Sequence, residues 1–471
     1  MLEKVQLINS YLSDYVLVIL LISVGVFYTI KTKFVQIRFF KYGFKKVFAN
    51  IDLNGEKQKG SMSSFQALAT AIAAQVGTGN IIGASGAILT GGPGAIFWMW
   101  VIAFFGMATI YAEAVLSQKT RKIHKDHTVS GGPVYYITTA FKGRVGKIMA
   151  SFFAIAIILA LGFFGCMVQS NSIGSTFYNA FGVPSFVVGF VLVFICLLIF
   201  VGGLNRLAYV TEKIVPIMAS IFLLGSLYVL IIRFRFLPET FYLIFKYAFK
   251  PESIIGGGFG YAIKTAVSQG AKRGLFSNES GMGSAPLVAA AAQTRNPKRQ
   301  ALVSMTGTFW DTVVVCLMTG LVLVSCIIKH PFIDAMSGNG SELTSLAFST
   351  IPVVGNPVLV IGLISFTFST MLGWYYYGER CAVYLFGEKI ILTYKIIWIG
   401  GILLGSLAEL KMIWNIADVL NGLMTIPNIV AVLLLSGMIA AETKKYSGKH
   451  IDDKDGSEIP IIQNSKKGIL M

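Results

Sequence analysis

The sequence predicts an all-α polytopic membrane protein of about eleven transmembrane helices, arranged as two inverted five-helix repeats behind one additional N-terminal span. Three observations carry that expectation. Only 13% of the 471 residues are charged and 55% are hydrophobic, with a mean hydropathy of +0.71; that is about half the charge of a soluble domain. Eleven segments are apolar over the roughly 20 residues that a helix needs to cross a bilayer. Two of them, five apart in order, are interrupted by glycine, proline and polar residues. The same composition excludes a secreted disulfide scaffold, a disordered chain and a soluble nucleotide enzyme.

The first apolar run, Tyr15 to Ile30, follows an acidic leader and lacks an A-x-A site, so it reads as a span that stays rather than as a signal peptide. The other spans fall near 64–90, 95–117, 148–180, 184–203, 209–232, 256–293, 301–328, 355–386, 389–407 and 413–440, beside 13–30 for the first. The fourth, seventh and ninth exceed a straight crossing and are expected to tilt or to continue outside the membrane. Residues 1–63 then form the first span and its loop, 64–232 one five-helix repeat, 233–440 the other with an extracellular connector, and 441–471 a polar tail expected to be disordered.

Net charge is +17, and basic residues gather in alternate loops: 28 lie on one side and seven on the other. That bias places the N-terminus outside and the C-terminus in the cytoplasm of a cell-membrane protein, and it accounts for the charge without nucleic acid. Cys166, Cys196, Cys316, Cys326 and Cys381 are dispersed in apolar segments without a CxxC, which argues against disulfides and a metal cluster. His124, His127, His330 and His450 fall in loops, span edges or the tail, so a zinc site or a histidine proton relay has no support.

The second span contains Gln75-Val-Gly-Thr-Gly-Asn80, then Gly83, Gly86 and Gly91-Gly-Pro-Gly94. The seventh contains Gly256-Gly-Gly-Phe-Gly260 and Arg273-Gly-Leu-Phe-Ser-Asn-Glu-Ser-Gly-Met-Gly-Ser-Ala-Pro286. Inside a helix glycine costs about 1 kcal/mol and proline about 3. Such clusters therefore mark breaks, and irregular backbone at that depth is tolerated only where it is buried in protein or lines a wet cavity. Close packing alone, of which Gly79 and Gly83 form a G-x-x-x-G, leaves the polar Gln75, Thr78, Asn80, Ser277, Asn278 and Glu279 unexplained. The GxGxxxG spacing is not a dinucleotide loop, because no strand precedes it. A broken helix opening each of two oppositely oriented halves points to a secondary transporter with its site at the midplane.

The chain resembles the bacterial and archaeal alanine/glycine:cation symporter family, also called sodium:alanine symporters. The resemblance rests on Gln75-Val-Gly-Thr-Gly-Asn-Ile-Ile-Gly83, Gly91-Gly-Pro-Gly-Ala-Ile-Phe-Trp-Met-Trp100, Met107-Ala-Thr-Ile-Tyr-Ala-Glu113 and Gly131-Gly-Pro-Val-Tyr-Tyr136. It rests also on Arg273 to Glu279, Gly281 to Pro286, and Phe366-Thr-Phe-Ser-Thr-Met-Leu-Gly-Trp-Tyr-Tyr-Tyr-Gly-Glu379. It runs from about residue 15 to about 440. It implies the LeuT-like fold, which is itself the standing illustration of this architecture, and cotransport of alanine or glycine with Na⁺.

Given that resemblance, Gly77, Thr78 and Gly79 are expected to present backbone N–H groups to the substrate carboxylate. The ammonium would meet carbonyls near Phe276 and the side-chain oxygen of Gln75 or Gln169. Phe276 and Trp374 are expected to limit substrate size, with Phe164 and Met167 as lesser candidates. For Na⁺, a hard ion, one or two of Thr367, Ser369 and Thr370 would serve, opposite the carbonyls of Ala73 and Val76. Asn80 matches an asparagine that touches a second ion in related sodium symporters.

Among the intramembrane charges Glu113, Lys264, Lys272, Arg273, Glu279, Asp311 and Glu379, the pair Glu379–Arg380 reads as structural. Glu279 and Asp311 read as gates or as a proton-linked site. Titration of either during transport would make the chain an H⁺-coupled symporter. A polytopic membrane enzyme is the alternative from another class, but no cluster of acids, histidines or metal ligands supports it. The expected partners are a small neutral amino acid and the lipid bilayer, with no obligate protein partner.

Overall fold

The computed structural model describes Leu7, Asn9 and residues 11–49, 62–123, 129–200, 202–249, 259–330, 340–407 and 410–454. The chain begins with a wide π-helical turn, Leu12–Leu17, leading into α1 (Val18–Lys31). After α2 (Phe40–Ala49) and the short strand β1 (Met62–Ser63) comes α3 (Ser64–Gln75). Ser63 caps α3 by accepting from the N–H of Gln66 at 3.0 Å, and Gln66 returns a bond to the Ser63 N–H at 3.1 Å, a reciprocal box that fixes where the helix starts.

Val76 leaves helical geometry (ψ 98°), and the chain resumes as α4 (Gly79–Gly91), bent 52° from α3. There follow α5 (Gly94–Thr120), α6 (Pro133–Ala140), α7 (Gly143–Tyr178), α8 (Ser185–Phe200), α9 (Gly203–Ile232) and α10 (Leu237–Phe249). The second interrupted segment is α11 (Phe259–Asn278) and α12 (Ala285–Ala291), which ends in the strand β2 (Ala292–Gln293). The last elements are α13 (Pro297–Lys329), α14 (Gly340–Ser349), α15 (Gly355–Phe386), α16 (Ile390–Leu407), α17 (Leu410–Leu434) and α18 (Ser436–Lys445).

Among the described residues seven helices are long and apolar enough to cross a membrane: α5, α7, α13, α15, α16 and most of α9 and α17. The bent pair α3–α4 makes eight. The eleven crossings expected from the sequence are not reached on this measure. Helices α1 and α8 are apolar but short; sixteen residues in α8 rise about 24 Å, less than the roughly 30 Å hydrocarbon core. The expected span 256–293 is split, and α11 carries Lys264, Lys272 and Arg273. Gly256 to Gly258 lie outside the described residues.

Helix α5 packs on α11, α13 and α1, while α15 packs on α9, α7 and α3. The two broken segments lie between these groups. At one end they are joined directly, because β1 pairs in parallel with β2, Met62 opposite Ala292 and Ser63 opposite Gln293. The tail expected to be disordered from residue 441 is instead helical to Lys445. It packs on the same end through Lys298, whose Nζ donates to Thr443 O at 3.1 Å and Ser447 Oγ at 2.9 Å. Glu442, paired with Lys119 at 3.3 Å, and buried Tyr446 explain the order. Residues 455–471 lie outside the described residues.

Candidate functional site

The first break brings the end of α3 against the middle of α15. Ser369 Oγ donates to Ala73 O at 3.3 Å and to its own helix at Phe366 O, 2.8 Å. Thr370 Oγ1 lies 3.0 Å from Val76 O and 2.9 Å from Phe366 O. All four residues are buried. The result is a cluster of uncharged oxygens in which hydroxyl hydrogens sit where a cation could replace them. Thr367 is not part of it: its hydroxyl donates to Leu363 O at 2.5 Å and Ile364 O at 3.1 Å on its own helix. On its helix Thr367 lies about 160° round from Ser369, though only about 60° from Thr370, and its hydroxyl is taken up by carbonyls of the preceding turn.

Gly77 sits directly on this cluster. A Cβ there would collide first with Thr370 Oγ1 and then with Thr370 Cβ at 3.2 Å. Gly77→Ala is therefore expected to push Thr370 off the Val76 carbonyl, raising the cation requirement of transport at least several-fold while the protein remains folded. Titrating uptake against the cation, with thermal melting as the control, checks it; an unchanged requirement would separate Thr370 from ion binding.

The backbone N–H of Gly77 donates to Asn80 Oδ1 at 2.8 Å, so in this conformation it is not offered to a substrate. Thr78 is reached from α7 by Gln169, whose Nε2 donates to Thr78 Oγ1 at 3.1 Å, while Gln169 Oε1 is buried without a partner. Gln75 turns the other way and ties the two breaks together, Nε2 donating to Asn278 O at 2.9 Å; its Oε1 is likewise buried and unpartnered. A Cβ on Gly79 would lie 3.4 Å from Phe276 Cδ1. Phe276 meets Trp374 edge to face at 6.3 Å between centroids and tilts on Trp414 at 5.2 Å. Gln169 on α7 and Phe276 on α11 therefore adjoin Thr78 and Gly79, and Trp374 on α15 packs against Phe276. Met167 and Phe164 pack in a separate cluster with Ile413 and Trp414.

The second break is held by two carboxylates. Glu279 has a left-handed backbone, φ 56°, uncommon for a residue with a side chain. Its Oε1 accepts from Trp374 Nε1 and its Oε2 from Ser284 Oγ, both at 2.6 Å, so Glu279 both shapes the break and fixes the Trp374 indole. Gly281 (φ 81°) and Gly283 (φ 84°) take conformations that glycine alone adopts readily. Their N–H groups turn to Glu113 on α5, with Gly281 N at 3.2 Å from Oε2. The other Glu113 oxygen accepts from Asn428 Nδ2 at 2.6 Å, and the same amide donates to Gly281 O at 2.8 Å. Tyr136 closes the network by donating to Asn428 Oδ1.

Asp311 occupies a third buried position, between the breaks. It accepts from Asn80 Nδ2 at 2.6 Å, Ser277 Oγ at 2.9 Å and Thr312 Oγ1 at 2.6 Å. Asn80, singled out for a second ion, thus meets Asp311, whereas Glu279, read together with Asp311, bonds Trp374. Glu379 pairs with Arg380 at 2.5 Å and accepts from Tyr375, away from both breaks. Sequence reasoning missed Asn428, Thr312 and the role of Glu113. Only Glu113 left a signal, as a lone acid in an apolar span.

Beside Phe276, Arg273 lies over the Trp414 ring at 5.6 Å, and Lys272 and Asp418 approach to 4.0 Å. Aromatic rings and charges of α11 and α17 therefore pack together there.

A sequence profile of the sodium:alanine symporter family matches residues 1–459. Sodium/alanine symporter AgcS of Methanococcus maripaludis is 44% identical over 444 residues, covering 94% of this chain and 96% of the relative. Amino-acid carrier protein AlsT of Bacillus subtilis is 35% identical over 465 residues, with 96% of each covered. Among solved structures, MhsT in complex with L-phenylalanine superposes with a TM-score of 0.51 at 16% identity, over 82% of this chain and 89% of that one, a likeness of fold.

Proposed function

The chain belongs to the sodium:alanine symporter family, a family of membrane transporters and not of enzymes, and from that premise we propose that it imports alanine or glycine together with Na⁺. In this reading five plus five helices, related by inversion, alternate access to a midplane site, with one extra span in front. The N-terminus is outside and the C-terminus in the cytoplasm.

The observation that carries the reading is the buried cluster of Ala73 O, Val76 O, Ser369 Oγ and Thr370 Oγ1. Na⁺ prefers hard oxygen ligands, and this set supplies them without a formal charge. When the ion enters, the two hydroxyls rotate their hydrogens away and all four oxygens turn to it. Because two ligands come from the break after α3 and two from α15, the ion holds those elements together. The amino acid then sits one residue further on, its carboxylate at the backbone of Thr78 and Gly79 and its ammonium near the free Oε1 of Gln169. Coupling follows, since the ion fixes the break whose N–H groups the substrate needs.

Trp374 bounds the site by bulk, and steric exclusion of this kind can discriminate where one methylene gained or lost is worth only about 1–3 kcal/mol. Trp374→Ala is expected to admit larger neutral amino acids as competitors of alanine uptake. Unchanged selectivity at normal expression would remove Trp374 from the site.

The buried Asp311, donated to by Asn80, Ser277 and Thr312, favours a second reading in which a proton or a second cation is co-transported there. The test is radiolabelled alanine uptake into proteoliposomes under an inward Na⁺ gradient, then with K⁺ in its place, each with and without a pH gradient. Accumulation above equilibrium on Na⁺ alone supports Na⁺ symport. Accumulation driven only by the pH gradient moves coupling to Asp311 or Glu279, and no accumulation in protein that binds alanine overturns symport.

A further inference from the structure

A large apolar recess lies on the outside of the bundle. It is a groove of about 450 Å³ between α7, α8, α9 and α15, lined by Val188, Val191 and Ile195, by Ile217 and Ile221, and by Phe368. Ser365 contributes the one hydroxyl, and that hydroxyl is turned inward to Ile361 O at 2.6 Å and Gly362 O at 3.1 Å. A volume of this size is that of a small-molecule site, about 300–1,000 Å³, but no polar group is offered to orient a polar ligand. The surface around it continues apolar and exposed, with Phe190, Phe194 and Leu224 each more than 60% accessible. On a multi-pass chain that surface faces hydrocarbon, so the groove opens directly onto lipid tails.

Its floor is Met218 on α9, and Met218 also lines a second apolar cavity of about 180 Å³ that reaches Val76 and α3. The thioether of Met218 accepts from Ser369 Oγ at 3.2 Å. One flexible side chain therefore separates the bilayer-facing groove from a hydroxyl of the oxygen cluster. Phe368, at the groove wall, is the immediate neighbour of Ser369 on α15.

We propose that the groove between α7, α8, α9 and α15 is a binding site for one acyl chain of a bilayer phospholipid, and that its occupancy sets the affinity of the Ser369–Thr370 cluster for Na⁺ through Met218. The second half of this rests on the Na⁺ reading above; the first does not. A chain in the groove presses Met218 against Ser369, where its thioether can take the hydroxyl hydrogen and leave the oxygen turned toward the ion. With the groove empty, Met218, unbranched and soft, relaxes outward, and the Ser369 hydrogen is left to the carbonyls of Ala73 and Phe366.

The experiment places a reporter at the floor. Phe368→Trp protein is reconstituted in dioleoylphosphatidylcholine and in its form dibrominated at mid-chain, and its emission is read against the unsubstituted protein. Quenching of the added indole, reduced when Val191→Phe plugs the groove, is the expected result; no extra quenching, or quenching indifferent to the plug, overturns the chain site. Na⁺-dependent uptake is then measured in vesicles of linear and of methyl-branched chains. The Na⁺ concentration for half-maximal uptake should differ several-fold between them, and the difference should vanish in Val191→Phe and shrink in Met218→Leu. Equal values in both vesicles, with quenching present, overturn the coupling through Met218. Uptake that ignores Na⁺ in every lipid overturns the Na⁺ reading and the coupling with it, and leaves the chain site supported by the quenching alone.

Discussion

Replacing Ser369 and Thr370 together by Ala is expected to raise the Na⁺ concentration for half-maximal uptake by about tenfold or more. Each hydroxyl bonds a carbonyl freed at the break after α3, at 3.3 Å and 3.0 Å. Removing both leaves two buried carbonyls, Ala73 O and Val76 O, to hold the ion by themselves. A hydrogen-bonding partner is worth roughly 0.5–1.5 kcal/mol net, and 1.4 kcal/mol is a factor of ten, so two lost ligands reach that scale. Alanine binding at saturating Na⁺ should be little affected, which separates the ion site from the substrate site. The control is Thr367→Ala, whose hydroxyl bonds only its own helix and whose Na⁺ dependence should stay near that of the unsubstituted protein. A Na⁺ requirement unmoved in the double variant would place the ion elsewhere, with Asp311 the next position to test.

The largest loss of stability is expected from Glu113→Ala. Glu113 is fully buried and accepts from Gly281 N, Gly283 N and Asn428 Nδ2. Each buried donor left without an acceptor costs about 1–3 kcal/mol, and domains as a whole are stable by only about 5–15. The Glu113→Ala protein should therefore melt far lower or fail to accumulate in the membrane. Glu113→Gln keeps one carbonyl oxygen for these donors and should fold, with a smaller drop in melting temperature. Equal melting temperatures for the Ala variant and the unsubstituted protein would mean that the second break is held by other contacts.

Much of the architecture is written in composition and punctuation. The breaks at Val76–Thr78 and at Glu279–Ser284 lie where glycine and polar residues crowd an apolar run, because backbone freed inside a membrane protein must find partners and the sequence has to supply them. The orientation of a side chain on its helix was less legible. Thr367, Ser369 and Thr370 are near neighbours in sequence, yet only the last two reach carbonyls of the broken segment, while Thr367 bonds its own helix; the run alone does not say which hydroxyls meet the break. Gln75 is polar and beside the break, but it reaches Asn278 O rather than Gly77, a choice made by how α3 and α11 pack. Asn428 could not be found from its own neighbourhood, because it acts on a residue 315 positions away. Such partners emerge only when helices distant in sequence are brought side by side. The same limit explains the tail: its order from Glu442 to Asp453 depends on Lys119, Lys298 and Tyr42, none of them near it in the chain.

The short pairing of Met62 with Ala292 and Ser63 with Gln293 has a kinetic consequence. It ties the entrance of α3 to the exit of α12, so the two broken segments cannot separate at that end without exposing its amides to water. Those amides would exchange deuterium at the rate at which the end opens, while the amides of α5, sealed in the interior, would wait for global unfolding. The ratio of the two exchange rates measures how often the protein opens toward that side per unfolding event. Adding substrate and cation should change the first rate and leave the second to follow overall stability.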